Sequence, residues 1–427
     1  MNNKIKLAVA GAVLSAASVA NAGIIIPAGD WTLDINGNVN AFATWQDFDK
    51  KGGNGVEGGI AGAKDSDNES NAQDINTGLL PAWLGFTGTT RQNDVDVSFT
   101  ISFQPNVSDN SIHGDAKTPL NRQAFVTFGD KSWGTVKLGK DLGIFAGQAI
   151  LNDMTLLGVG GGSYGKSGAA TTFGGIGTGY IYPAWKGQIA YTTPNMNGFQ
   201  ATVGIMNPNG SSIGGLIGEA TSTTNVSSGS GTLYQDRFGY EGQVMYSWTG
   251  DVAGKVWVSG ASYDITADTD TAETVVTDSY TASVWDIGAN VNAGNLGVTA
   301  YYYDGKGAGT TSFADNGAWA SNGGKFHRRD SDGGYVQATY VIPTGTKLGV
   351  AYGVSNLDKA AGEDGTGSAT VAGSLVDKNE RWTVGAYHPL TKHLNLVAEY
   401  NKIESEGHVS GDDNEQSSIS LGAILFF

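Results

Sequence analysis

"DVDVSFTISFQ", residues 94–104, separates into two faces. Val95, Val97, Phe99, Ile101 and Phe103 are apolar, and Asp94, Asp96, Ser98, Thr100, Ser102 and Gln104 around them are polar. Successive side chains of a strand point to opposite faces, so one face here meets an apolar medium and the other meets water. Val97, Phe99 and Ile101 are predicted on the apolar side, which is lipid if the chain spans a membrane, and Asp96, Ser98 and Thr100 against water. The same alternation sets Trp31, Leu33, Ile35, Val39 and Ala41 against Asp34, Asn36, Asn38 and Asn40. It returns at the end of the chain, where Ile419, Leu421, Ala423, Leu425 and Phe427 share one face. Half-buried strands of a soluble sandwich alternate too, so the rest of the chain has to decide.

Sixteen such strands are predicted, over 30–46, 79–92, 94–107, 119–130, 131–141, 179–193, 196–208, 233–250, 251–264, 280–292, 294–305, 332–343, 345–357, 378–388, 392–404 and 416–427. Their connections alternate between short and long. The short ones are two to four residues, such as Gln92-Asn93, Gly250-Asp251 and Pro343 to Gly345. The long ones are polar and glycine-rich, and the first, residues 46–78, carries seven acids against three lysines. Tight turns at one end and long loops at the other are the mark of a barrel in an outer membrane. Most of the candidate strands also reach the 9 to 11 residues that a tilted strand needs to cross hydrocarbon. Trp31, Trp45, Tyr246, Trp248, Trp257, Tyr263, Tyr340, Tyr387 and Tyr400 lie near strand ends, where interfacial aromatic girdles are expected.

Composition agrees with this. Charged residues are 15% of the chain, against about 25% in ordinary soluble domains. Glycine is abundant, with 65 residues, cysteine is absent, and the formal net charge is −16. An exported chain without cysteine has no disulfide to hold it. So acidic a chain has no basic stripe for nucleic acid. "MNNKIKLAVAGAVLSAASVANA", residues 1–22, has the two lysines, the apolar run and the Ala-Asn-Ala end of a secretory leader, and is too short for a membrane anchor. The expected organisation is a signal peptide at 1–22 and a single barrel domain at 23–427.

"NRQAFVTFGDKSWGTVKLGKD" at 121–141, "GQIAYTTPNMNGFQATVG" at 187–204 and the terminal "SLGAILFF" together resemble the general diffusion porins of Gram-negative outer membranes. The resemblance implies an all-β, 16-stranded antiparallel transmembrane barrel with long extracellular loops and short periplasmic turns. It implies an inward-folded third loop, residues 142–178, and a homotrimer in contact with outer-membrane lipid and lipopolysaccharide. It also implies a water-filled channel for small hydrophilic solutes and ions, with no cofactor and no catalysis. Phe427 would be the end residue read by the assembly machinery. By position, Arg122 matches a wall arginine of the constriction, Asp153 a loop acid facing it, and Lys140 and Lys186 further basic positions. Trp83 stands where many relatives carry a second wall arginine, and Leu157 where a second loop acid is common. The bland alternatives are that these cations are interfacial or loop charges and that Trp83 faces lipid.

One motif points elsewhere. "GGGSYGKS", residues 160–167, fits the phosphate-binding pattern G-x-x-x-x-G-K-[ST]. A phosphate loop needs a helix N-terminus behind it, and "GAATTFGG" follows with no helical period. A loop that must turn back on itself within a lumen explains these glycines better. His388 and His393 flank a short turn without a third ligand, and the acidic stretches 65–70 and 411–415 lack the spacing of a calcium loop. Two alternatives to general diffusion remain: a saccharide-selective porin, with Trp83 stacking on sugar rings, and a secreted β-rich adhesion or surface-layer protein.

Overall fold

The computed structural model describes residues 23–51, 56–62, 70–105, 107, 120–161, 171–207, 236–270, 275–320, 325–363 and 374–427. The leader and residues 162–167 of the glycine-rich motif lie outside these. The barrel strands are β1 (Trp31–Lys51), β2 (Trp83–Gln92), β3 (Val95–Gln104), β4 (Leu120–Asp130), β5 (Gly134–Leu142), β6 (Trp185–Thr192), β7 (Phe199–Met206) and β8 (Gly239–Trp248). They continue with β9 (Val252–Asp270), β10 (Val275–Ala293), β11 (Leu296–Lys306), β12 (Asp330–Val341), β13 (Lys347–Leu357), β14 (Ser374–Pro389), β15 (Leu394–Gly407) and β16 (Asp413–Phe426). Each pairs antiparallel with its neighbour, and β16 pairs back onto β1 from Asn38↔Phe426 to Lys51↔Asp413, which closes the barrel. Two short strands cover what closure leaves open on β1. Ile24–Ala28 pairs with Trp31–Ile35 where β16 has ended, and Asn71–Asn76 pairs with Phe42–Asp47 beyond the start of β2. No long edge of β1 is left free to pair with another chain.

The sixteen strands fall where the alternation places them, with departures at their ends; β8, for instance, covers 239–248 rather than 233–250. β9 and β10 each run 19 residues and stay paired up to Asp270↔Val275, well beyond the stretch a membrane needs. β6 begins at Trp185 rather than near 179, because residues 179–184 run inside the barrel, with Tyr182 bridged to Ser312.

Alternation decides which face meets what. Val39, Trp45, Ile101, Val126, Ile189, Val203, Val258, Ile287, Val384 and Leu421 are exposed on the outside, whereas Ser98, Thr100, Ser102, Thr127, Ser259, Thr383 and Ser420 are buried within. Three of the aromatic residues expected in the interfacial girdles do not join them. Trp257, Tyr263 and Tyr387 share the parity of Ser259 and Thr383 and are buried inside the barrel. Nearness to a strand end was a poorer guide than parity.

Phe99 sits midway along β3 on the outer face, and its ring covers Gly88, where an added Cβ would come within 2.2 Å of it. Arginine at Phe99 is expected to cost about 2–4 kcal/mol, because it puts a charge at the hydrocarbon midplane. Arginine at Thr87, opposite Thr100 on the inner face, should cost far less. Urea unfolding of the refolded barrel in lipid vesicles measures both; equal costs would show that the faces are assigned the wrong way round.

Candidate functional site

The chain between β5 and β6 turns into the lumen. It forms a short helix, α1 (Gly147–Asn152), and then a single 3-10 turn (Met154–Leu157). Six residues of helix are not stable alone. Backbone groups that leave the sheet also need partners inside the barrel, and the wall supplies them in chain order. Glu241 on β8 accepts from the N–H groups of Ile144 (2.6 Å) and Phe145 (3.0 Å). Asp286 on β10 accepts from Ala146 N–H (3.2 Å), and the Tyr335 hydroxyl on β12 donates to the Ala149 carbonyl (2.8 Å). Gln337 on β12 accepts from Met154 N–H and donates to the Asn152 carbonyl. Glu399 on β15 accepts from the N–H groups of Val159 (2.9 Å) and Gly160 (2.8 Å). The loop is thus a band pinned along the wall from β8 to β15, mostly by charged acceptors, which make the stronger hydrogen bonds. At Gly158 the approach is so close that a Cβ would lie 2.0 Å from a Glu399 oxygen.

Two other long loops also enter the lumen, which the resemblance did not imply. Residues 77–82 of the first loop lie over Asn38 and Asn40, which donate to the carbonyls of Pro81 and Leu80. Leu79 N–H then bonds the Gly158 carbonyl of the band. From the loop after β11, Phe313 packs against Phe145 and Tyr263, with ring centroids 6.4 and 4.7 Å apart. Leu79, Leu80, Phe145, Ile150, Leu156 and Phe313 belong to one buried apolar cluster inside the barrel. Between residues 143 and 161 the band leaves partly open to water the row Ile144, Gln148, Asn152 and Leu157, which carries no ionisable group.

Asp153, expected as a carboxylate facing Arg122 across the pore, is turned the other way. Its Oδ1 accepts from the Thr155 N–H and hydroxyl, and its Oδ2 from Gly175 N–H and the Tyr180 hydroxyl, both at 2.9 Å. Burial, reinforced by that carboxylate, pushes the Tyr180 phenol well above its ordinary range and keeps it a donor. The cation nearest Asp153 is Arg381 of β14, at 3.9 Å. Arg381 is 2% exposed and donates to Thr178 and Thr383. The pairing with Arg122 is therefore corrected. A carboxylate at the junction of two helical turns finds its donors within its own loop, so it has none left to show to the lumen.

Arg122 sits at a bulge of β4, between the registers Ser102↔Gln123 and Phe103↔Asn121, and its Nε donates to the inward Gln104 (2.5 Å). Trp83 pairs with the inward Asn38 and shares the parity of Thr87, so it points into the lumen. Its ring lies 6.1 Å from that of Trp185. Lys186 points inward but is buried, ion-paired to Glu241 and donating to the Tyr263 hydroxyl at 3.1 Å. Lys140 does not line the lumen. It pairs with Ala124 and Gly187 in the outward register and bonds the Asn121 carbonyl, one residue out of step with the inward Lys137 and Asp141. Leu157 is on the open edge of the band. Phe427 exchanges both backbone hydrogen bonds with Gly37 of β1.

Arg381, Glu241, Asp286 and Glu399 were not nominated from the sequence. A signal for them existed. In "RWTVGAY", residues 381–387, Arg381 falls on the face of Thr383 and Tyr387, opposite Trp382 and Val384. A charge mid-strand on the polar parity is a lumen residue. Among the described residues, no three His, Cys, Asp or Glu side chains converge as a metal site would require.

Comparison with known proteins supports the same architecture. A family model described as Gram-negative porin matches residues 7–408. No curated protein is significantly similar in sequence. The outer membrane channel DcaP of Acinetobacter baumannii is similar in structure, with a TM-score of 0.63 at 15% identity over 94% of this chain and 99% of that one. OmpF of Salmonella typhi, in complex with daunomycin, scores 0.56 at 15% identity over 95% and 100%. OmpT of Vibrio cholerae, an outer-membrane protein, scores 0.54 at 14% identity over 95% and 100%.

Proposed function

Since this chain belongs to the Gram-negative porin family and forms an outer-membrane diffusion channel, we propose that its narrowest passage runs between the neutral edge of the loop band and the wall carrying Trp83, Arg122 and Lys137. The observation that carries this is the band itself, pinned from β8 to β15, whose residues 143–161 present Ile144, Gln148, Asn152 and Leu157 to water. Small hydrophilic solutes cross passively, and the protein performs no chemistry on them. Three loops drawn inward narrow the section left open. The working form is a homotrimer embedded in outer-leaflet lipid and lipopolysaccharide, built from a single barrel domain after loss of the leader and inserted by the assembly machinery that reads Phe427. Single-channel recording in planar bilayers tests this, and a purified, folded barrel with no unit conductance would sink it.

A second reading, selectivity for saccharides, is favoured by the Trp83–Trp185 pair. Aromatic faces in a wet passage stack on the apolar faces of sugar rings, and two rings at this spacing offer consecutive platforms. Trp83→Ala is expected to raise unit conductance by opening the passage and to weaken block by oligosaccharides. A higher conductance with unchanged block would leave general diffusion as the reading.

A further inference from the structure

We propose that the passage prefers small anions, inorganic anions and carboxylates among them, although the chain as a whole carries a formal charge of −16. The inference rests on the channel reading above and concerns which charges inside the barrel reach water. Among the described residues, five carboxylates lie at the loop band: Asp141, Asp153, Glu241, Asp286 and Glu399. None is more than 6% exposed. Asp141 is held by Lys137 and by the Gln123 amide, and Glu241 by Lys186 and Tyr263. Asp153 faces Arg381, Asp286 accepts from Ser259, Tyr301 and Ala146, and Glu399 accepts from Tyr387 and two N–H groups of the band. Pinning the loop consumes them. Lys137, Arg381 and Lys186 offset the charges of Asp141, Asp153 and Glu241, neutral donors stabilise Asp286 and Glu399, and burial keeps a passing ion from touching any of the five.

The cations divide differently. Lys137, Lys186 and Arg381 are matched to these acids, but Arg122, Lys255 and Lys347 are not. Lys255 is inward on β9, in the register of Trp257 and Ser259, and its Nζ donates to Gln148 on the open edge of the band (2.8 Å). Lys347 is inward on β13, with its Nζ 5.0 Å from the Tyr387 ring. Arg122 bonds the Gln104 amide. None of these partners is a carboxylate, and all three cations are only partly buried. Asp96 and Asp130, bridged by Arg91, lie lower, at the mouth with the short turns, and Asp34, inward and partly exposed opposite Thr87, is the described carboxylate between that mouth and the band that offsets part of the charge of the three cations. A low-dielectric wall focuses the field of unmatched charges into a narrow lumen, so three cations there outweigh a larger acidic excess spread over the outer loops. That excess is screened within about 8 Å at ~0.15 M salt and within about 3 Å at 1 M.

The experiment is reversal potential across a KCl gradient, on the full-length protein in planar bilayers, at low and at high salt. Wild type is expected to reverse on the chloride side, more clearly at high salt, where the acidic loops are screened. Lys255→Gln combined with Lys347→Gln should lower the chloride-to-potassium permeability ratio several-fold, and Arg122→Gln, as an independent variant, should lower it too. Lys402→Gln, opposite the outward Trp382 and ion-paired to Glu415, should leave it unchanged. Heat-modifiable electrophoretic mobility confirms that each variant is folded. Reversal on the potassium side at high salt with ordinary conductance overturns the anion preference and leaves the channel standing. So does a ratio that neither the double variant nor Arg122→Gln moves. Absence of any conductance from folded wild type overturns the channel reading, and this inference with it.

Discussion

Replacing Glu241 with alanine is expected to destabilise the loop band by about 3–5 kcal/mol, the cost of leaving a buried charge without its partner. Glu241 does two jobs at once. One oxygen takes the Lys186 ammonium and the Tyr263 hydroxyl, and the other takes the N–H groups of Ile144 and Phe145, where the loop leaves β5. Removal strands Lys186 between the rings of Tyr263 and Phe313, 5.1 and 5.8 Å from its Nζ, with only a phenol to bond. Two backbone donors lose their acceptor in the same step. The barrel keeps its strand pairing, so the loss falls on the band and its first limb swings free. The measurable result is a lower temperature of heat-modifiable mobility, together with larger, noisier unit conductance. Adding Lys186→Met to Glu241→Ala removes the stranded charge and should recover part of the stability but not the quiet conductance, since the loop still lacks its anchor. If Glu241→Ala alone leaves conductance quiet and unchanged, the band is held by its apolar contacts and the carboxylate is dispensable.

How much of this was legible in the sequence follows from what each feature depends on. The sixteen strands depend on period-two alternation and on turn residues, both local, and so they could be read from stretches such as 94–104. The sorting of long and short connections needed only counting. The face of a residue was equally legible wherever parity was followed. Trp257, Tyr263 and Tyr387 were misplaced only because nearness to a strand end was used in its stead. The loop band was not legible in its detail, because its anchors are contacts between residues far apart in the chain: Ile144 with Glu241, Ala149 with Tyr335, Val159 with Glu399. Position relative to a family pattern located Arg122 and Asp153 but could not say which way Asp153 turns. That is decided by Thr155, Gly175 and Tyr180, and nothing in the spacing of the sequence marks them as its partners.

The orientation of Asp153 is also where two readings of the constriction separate by experiment. Were it a free carboxylate facing Arg122, Asp153→Asn would shift the reversal potential towards anions and leave stability alone. In the geometry observed, Oδ2 accepts from Gly175 N–H and Tyr180 O–H and lies 3.9 Å from Arg381, beyond hydrogen-bond length, so the attraction to the guanidinium is Coulombic. An asparagine must set its NH2 against either this pair of donors or the Thr155 pair, whichever oxygen it replaces. It also leaves Arg381, 2% exposed, with neutral hydrogen-bond partners and the Glu399 carboxylate as its remaining counter-charge. The expected cost is about 3 kcal/mol, the lower end for a broken buried pair because the separation is long. The second limb of the band, from Gly175 to Tyr180, should loosen, raising conductance and adding flicker with little change in reversal potential. Arg381→Gln in the Asp153→Asn background removes the unmatched charge and should restore part of the stability, whereas Arg122→Gln in that background should restore none. A double-mutant cycle on thermal stability gives both couplings. Coupling of Asp153 to Arg122 rather than to Arg381 would return the carboxylate to the open side of the pore.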